Sequence, residues 1–101
     1  MREVLSMNEW TVSGEVFYLR PLDTDFAASV KIRGTARRQG LYYSQILEIP
    51  CLMSGEAYSD GLAKGLGLYK SVTLAGHLES WVKDNGKSRL MLVCDRCVRV
   101  G

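Results

Sequence analysis

Several groups of residues in this chain have the types and spacing that chemistry could use. Cys94-Asp95-Arg96-Cys97 is a C-x-x-C. Zinc wants four ligands, and Cys51 and His77 are the remaining candidates. Residues three apart on a strand point to opposite faces, so the pair is not expected to converge unless its strand ends there. A thioredoxin-like redox role needs a βαβ context that is missing. Small buried side chains are therefore the expected account, with no metal and no cofactor. His77 is the single histidine. As a general base it has no visible nucleophile beside it, and it reads as a surface or interface residue. The glycines at Gly61, Gly65 and Gly67 are not followed by the Lys-Ser/Thr of a P-loop. What remains pairs cations with aromatics. Lys31, Arg33, Arg37 and Arg38 form the densest positive patch, just ahead of Tyr42 and Tyr43. Trp81, Lys83, Lys87 and Arg89 form a second group. Cations along a backbone track and aromatics under the bases are what single-strand binding requires, each stack contributing roughly 1–3 kcal/mol. Both groups also fit plainer roles: a solvated strand face whose charge protects an edge, and a solubilising hairpin tip with its Trp folded back on the sheet.

The elements that must position these residues follow from period-two alternation, the mark of a strand with one buried face. Strand one runs over Asn8 to Leu19, with Gly14 as a bulge or bend where the strand curls. Arg20-Pro21-Leu22-Asp23 is expected to break it. Trp10 reads as core or interface, and one of Phe17 and Tyr18 is expected to be exposed. Strand two covers Phe26 to Arg37, with Phe26, Ala28, Val30 and Ile32 inward and Lys31 and Arg33 outward. Strand three covers Leu41 to Met53, with Pro50 implying an edge or bulge near its end. Tyr42 and Ile46 offer a stacking or packing surface on its outer face, while Glu48 argues against a phosphate nearby. Ser54 suits a helix cap and Glu56 the first turn, so a short helix or packed loop is expected from Glu56 to Leu66. Strand four starts at Ser71, with Val72, Leu74, Gly76 and Leu78 on one parity. Asp84-Asn85-Gly86 marks a turn, and strand five follows from Ser88 to about Val100, with Leu90, Leu92 and Cys94 sharing a parity.

The chain has 101 residues, 47% hydrophobic and 24% charged, which fits one globular domain with a modest core. Residues 1–7 read as a flexible leader and 8–101 as the domain. A net charge of +2 permits a nucleic-acid partner without demanding one. No apolar run approaches the roughly 20 residues of a membrane-spanning helix, and no signal peptide is visible. The expected setting is cytoplasmic, with reduced thiols.

Five strands with one helical segment between the third and fourth is the order of the OB-fold, an all-β, partly open Greek-key barrel. Its second and third strands and two of its loops form a nucleic-acid or oligosaccharide groove. The positive patch, Tyr42 and the hairpin tip fall on those elements.

Specific stretches go further. Met7-Asn8-Glu9-Trp10-Thr11-Val12-Ser13-Gly14 is similar to the opening strand of the bacterial single-stranded DNA-binding protein (SSB) superfamily. The stretch from Leu62-Ala63-Lys64 through Lys70 to Leu78 resembles its helix, followed by its lysine-glycine turn and its V-x-V-x-G-x-L strand. Ile49 through Gly55 and Asp84 through Leu92 resemble the primosomal replication protein N branch. The resemblance spans about Met7 to Val100. It implies sequence-tolerant binding of single-stranded DNA without catalysis, in replication, repair or restart. It also implies a homo-oligomer, dimeric in the primosomal branch and usually tetrameric in SSB, with replication or primosome proteins as partners. By the same resemblance, Trp81 lies close to a stacking aromatic of the hairpin, and Tyr42 or Tyr43 lies where SSB places a stacking Trp. Ile46 stands where the primosomal branch has a DNA-contacting aromatic, a departure that weakens the groove. The sequence stops at Gly101 without the acidic tail of SSB, which favours an accessory or primosomal-type protein. Two other roles stay open: a protein-interaction barrel in a replication complex with weak or no DNA binding, and an oligosaccharide- or small-ligand-binding barrel.

Overall fold

The computed structural model describes residues 9–37, 44–82 and 85–101. Five strands and one helix follow in the expected order: β1 (Trp10–Pro21), β2 (Ala28–Arg37), β3 (Ser44–Met53), α1 (Gly55–Ala63), β4 (Ser71–Val82) and β5 (Ser88–Val100). The strands close into a barrel in the order β1-β2-β3-β5-β4, with β4 returning to β1. Every pairing is antiparallel except the short parallel contact between Cys51–Met53 of β3 and Leu92–Cys94 of β5. This is the OB-fold that the element order implied.

The barrel closes because β1 serves two neighbours. Trp10 to Glu15 pair with β4, and Glu15 to Pro21 pair with β2. The change of partner falls at Glu15, directly after Gly14. A Cβ on Gly14 would lie 2.6 Å from both the Arg33 carbonyl oxygen and Ile32 Cγ2, so only glycine lets the two strands approach this closely. Just beyond, the β1–β2 register shifts between Val16 and Tyr18, making Phe17 an extra residue. Val16 is held there from the far side: its N–H donates to the Lys70 carbonyl at 3.0 Å and its carbonyl accepts from Tyr69 at 2.6 Å. β1 ends at Pro21, inside the Arg20–Asp23 segment expected to break it; Pro21 is its last residue, opposite Ala28, a position that Pro tolerates. Pro50 sits as its sequence implied, one residue before β3 gains β5 as its second neighbour.

Val16, Ala28, Val30, Ile32, Met53 and Leu74 are fully buried and form the core with the three cysteines. Phe26, expected inside, is half-buried and precedes β2. Helix α1 packs on β5 and β3, burying Ala57 and Gly61. Ser54 caps it, its Oγ accepting from the Ala57 N–H at 3.1 Å. At the other end Lys64 Nζ donates to the Cys97 carbonyl at 2.6 Å and to Asp60 at 2.9 Å.

The expectation that Cys94 and Cys97 point to opposite faces is overturned. Both are buried, as is Cys51. Along the β4–β5 ladder Gly76 faces Cys94, Ala75 faces Arg96, Leu74 faces Cys97 and Thr73 faces Arg99. Asp95 and Val98 are therefore extra residues on β5, and each bulge resets the alternation. On β4, Ala75, placed on the polar parity by the sequence, is buried, and Leu78, beyond the last β1 pairing at Gly76, is exposed. Burial pushes the Cys51 and Cys94 thiols up to about 12 and raises that of Cys97. The thiolates that metal or redox chemistry would use are disfavoured in the folded chain. Among the described residues no helix is long and apolar enough to cross a membrane.

Candidate nucleic-acid interface

The outward face of β1, β2 and β3 collects cations and rings. In an antiparallel ladder directly opposed residues share a face. Tyr18 faces Lys31, which faces Pro50, and Glu15 faces Arg33, which faces Glu48. The bulge at Phe17 adds its ring to the same face. Lys31 Nζ lies 4.8 Å from the centre of the Tyr18 ring, and Arg33 Cζ lies 4.5 Å from that of Phe17. Both distances are within cation–π range. Arg33 Nη2 also donates to Glu48 Oε1 at 3.4 Å. Two cations are thus held by rings on an open surface, Arg33 exposed and Lys31 half-buried. The rings add no countercharge; the carboxylate beside Arg33 is that of Glu48.

Solved structures share this architecture. A small single-stranded DNA-binding protein from Mycoplasma pneumoniae superposes with a TM-score of 0.66 at 14% identity, over 92% of this chain and 93% of that one. The SSB of Plasmodium falciparum, solved in complex with ssDNA, gives 0.62 at 16% identity, over 99% and 96%. The mitochondrial single-stranded DNA-binding protein Rim1 of S. cerevisiae gives 0.59 at 16% identity, over 93% and 97%. The chain shares its OB-fold with these structures. Neither a family model nor a curated protein matches the sequence.

On this OB barrel the residues singled out by sequence separate into distinct places. Lys31 and Arg33 lie side by side on the β2 outer face, as expected. Arg37 ends β2, its backbone opposite Ser44. Arg38, Tyr42, Tyr43 and Lys83 lie outside the described residues. Trp81 and Arg89 are directly opposed on the β4–β5 hairpin. Lys87 and Arg89 are exposed there. The hairpin turn is as predicted: Gly86 has φ 80°, and Asn85 Oδ1 accepts from the Lys87 N–H at 3.0 Å. Beyond the barrel this arm also exposes Leu78, Val82 and Leu90.

Sequence reasoning missed Phe17 and Tyr18 as site residues. The signal was there: a Phe-Tyr pair in β1 and the Lys-x-Arg of β2. Reading it required the bulge, because two consecutive residues of a regular strand point to opposite faces.

A second cluster sits on the outer face of β4 and β5. The His77 ring lies between Asp95 Oδ2, 2.7 Å from Nδ1, and Glu79 Oε2, 2.6 Å from Nε2. The hydrogen bonds to Asp95 and then to Glu79 raise the imidazole pKa, against a smaller opposing effect of burial. Asp95 reaches the ring because it is a bulge residue. The His77 carbonyl accepts the Trp10 indole N–H at 2.8 Å. Trp10 packs against the core, in keeping with its expected role. Its ring lies over Gly76, where a Cβ would come 2.8 Å from Trp10 Cζ2 and would overlap the Val93 carbonyl.

Proposed function

We propose that this chain binds single-stranded DNA, in a sequence-tolerant way and without catalysis, along the outer face of β1, β2 and β3 and the β4–β5 hairpin. The observation that carries this reading is the pair of cations over rings, Lys31 on Tyr18 and Arg33 on Phe17, on the open face of an OB barrel. Cations serve the phosphates, and aromatic faces serve bases of any sequence. Arg37, Arg38, Tyr42, Tyr43, Trp81, Lys83, Lys87 and Arg89 extend the surface in this proposal. The role is that of an accessory or primosomal-type protein in replication, repair or restart, as a cytoplasmic homodimer. The fold it shares with single-stranded DNA-binding proteins supports the binding role.

The test is intrinsic Trp fluorescence during titration with oligo(dT) at two salt concentrations, beside a Trp81→Ala variant. Salt-sensitive binding is expected, because phosphate neutralisation releases counterions. Quenching that disappears in the variant assigns it to the hairpin, since Trp10 is packed against the barrel. Absence of binding at low salt would sink the reading. The exposed Leu78, Val82 and Leu90 favour a second role, a protein-interaction subunit of a replication complex, which that result would leave standing.

A further inference from the structure

We propose that Glu48 is a built-in competitor for the anion site of Arg33, so that this barrel restrains its own affinity for a single strand. The inference rests on the single-strand reading above. The two cation–ring pairs look alike but have different flanks. Lys31 has Tyr18 on one side of its ladder and Pro50 on the other, neither of them charged acids. Arg33 has the carboxylates of Glu15 and Glu48 directly opposite on β1 and β3. Among the described residues, Glu48 alone makes a contact of ion-pair length with it, at 3.4 Å through one oxygen.

That contact has the character of a placeholder. It is single rather than bidentate. The side chains of Arg33 and Glu48 retain 47% and 59% of their exposure, so water screens the pair and it contributes little to stability. The guanidinium is meanwhile held over Phe17 at 4.5 Å, with its N–H donors at the rim. A phosphate oxygen approaching that rim can replace the Glu48 oxygen while the guanidinium stays on the ring. The exchange breaks one ion pair and makes another, and it returns the Glu48 carboxylate to solvent. Glu48 therefore opposes a bound strand in two ways. It occupies Arg33 beforehand, and it repels the phosphate afterwards. Lys31, with no acid directly opposite it on β1 or β3, is open to phosphate from the start.

The experiment is an anisotropy titration of labelled oligo(dT) with wild type, Glu48→Gln, Arg33→Gln, the double variant, and Glu56→Gln. The last removes an exposed carboxylate on α1 and reports the general effect of one negative charge less. Glu48→Gln is expected to tighten binding about threefold to fivefold, the scale of one exposed ion pair. Glu56→Gln should change it much less. In the Arg33→Gln background the Glu48→Gln gain should shrink to the Glu56→Gln level. A Glu48→Gln gain no larger than that of Glu56→Gln overturns the proposal, as does a gain that persists undiminished without Arg33. If wild type binds and Glu48→Gln fails to tighten it, this inference alone falls. If wild type does not bind at low salt, the functional reading falls and takes the inference with it.

Discussion

Two surfaces of this barrel hold a side-chain cation between partners, and they do so with opposite consequences. On the outer face of β1, β2 and β3, Lys31 and Arg33 rest on rings. On the outer face of β4 and β5, the imidazolium form of His77 is clamped by Asp95 and Glu79. A ring fixes a cation's position and leaves its charge for a ligand. Two carboxylates fix the position and neutralise the charge. The first surface leaves cationic charge exposed to solvent, and the second ties β4 to β5 beside the Trp10 indole. Arg33 lies between these types, with a ring beneath it and one carboxylate beside it.

The sharpest test of this contrast uses one glycine from a strand of each surface. Gly76→Ala should drive a Cβ into the Val93 carbonyl and against Trp10, with no flexible neighbour to yield on the carbonyl side. A loss of about 3 kcal/mol is expected in urea unfolding. At Gly34 of β2 the nearest atom to an added Cβ is the Ser13 carbonyl oxygen, at 3.4 Å. Gly34→Ala should change stability by less than about 1 kcal/mol. Equal losses in the two variants would show that the Trp10 seat is no tighter than the binding face.

Next in size is the effect on DNA. Lys31→Ala and Arg33→Ala should each weaken oligo(dT) binding several-fold. Each should also flatten the dependence of log affinity on log salt by about 0.7, the single-strand value for one phosphate contact. His77→Gln should leave both quantities unchanged, since its charge is already balanced. A His77→Gln variant that binds as poorly as Arg33→Ala would erase the distinction between the surfaces.

The sequence made the regular parts of this contrast legible and concealed the irregular ones. Alternation located all five strands. Ser54 announced the start of α1, Asn85-Gly86 the hairpin turn, and Gly14 the bend. Lys31 and Arg33 were found because β2 is regular from Ala28 through their positions. The three bulges were hidden. Phe17 and Val98 are not residues that punctuate a strand, and the bulges at Phe17, Asp95 and Val98 are properties of paired registers rather than of local propensity. From that came the misplacement of Cys97. The same gap hid the Phe17–Tyr18 platform and the reach of Asp95 to His77. These are the residues that distinguish one surface from the other.

The smallest expected effect is the most specific to the clamp. The two carboxylates raise the folded-state pKa of His77 above its ordinary value of 6.5. A histidine whose folded pKa is raised binds a proton more tightly when folded than when unfolded. Its contribution is then fully present below the unfolded pKa and is lost as pH rises through the raised folded value. Thermal melts of wild type and His77→Gln should therefore differ most just below pH 6.5 and converge as pH rises through the raised folded value. The gap is expected to be small, since Asp95 is exposed and salt screens it. The shape of the curve matters more than its height. A gap that does not vary with pH would mean that His77 acts through packing or neutral hydrogen bonds. The clamp would then be no more charged than the contacts around it, and the difference between the two surfaces would reduce to Lys31 and Arg33 alone.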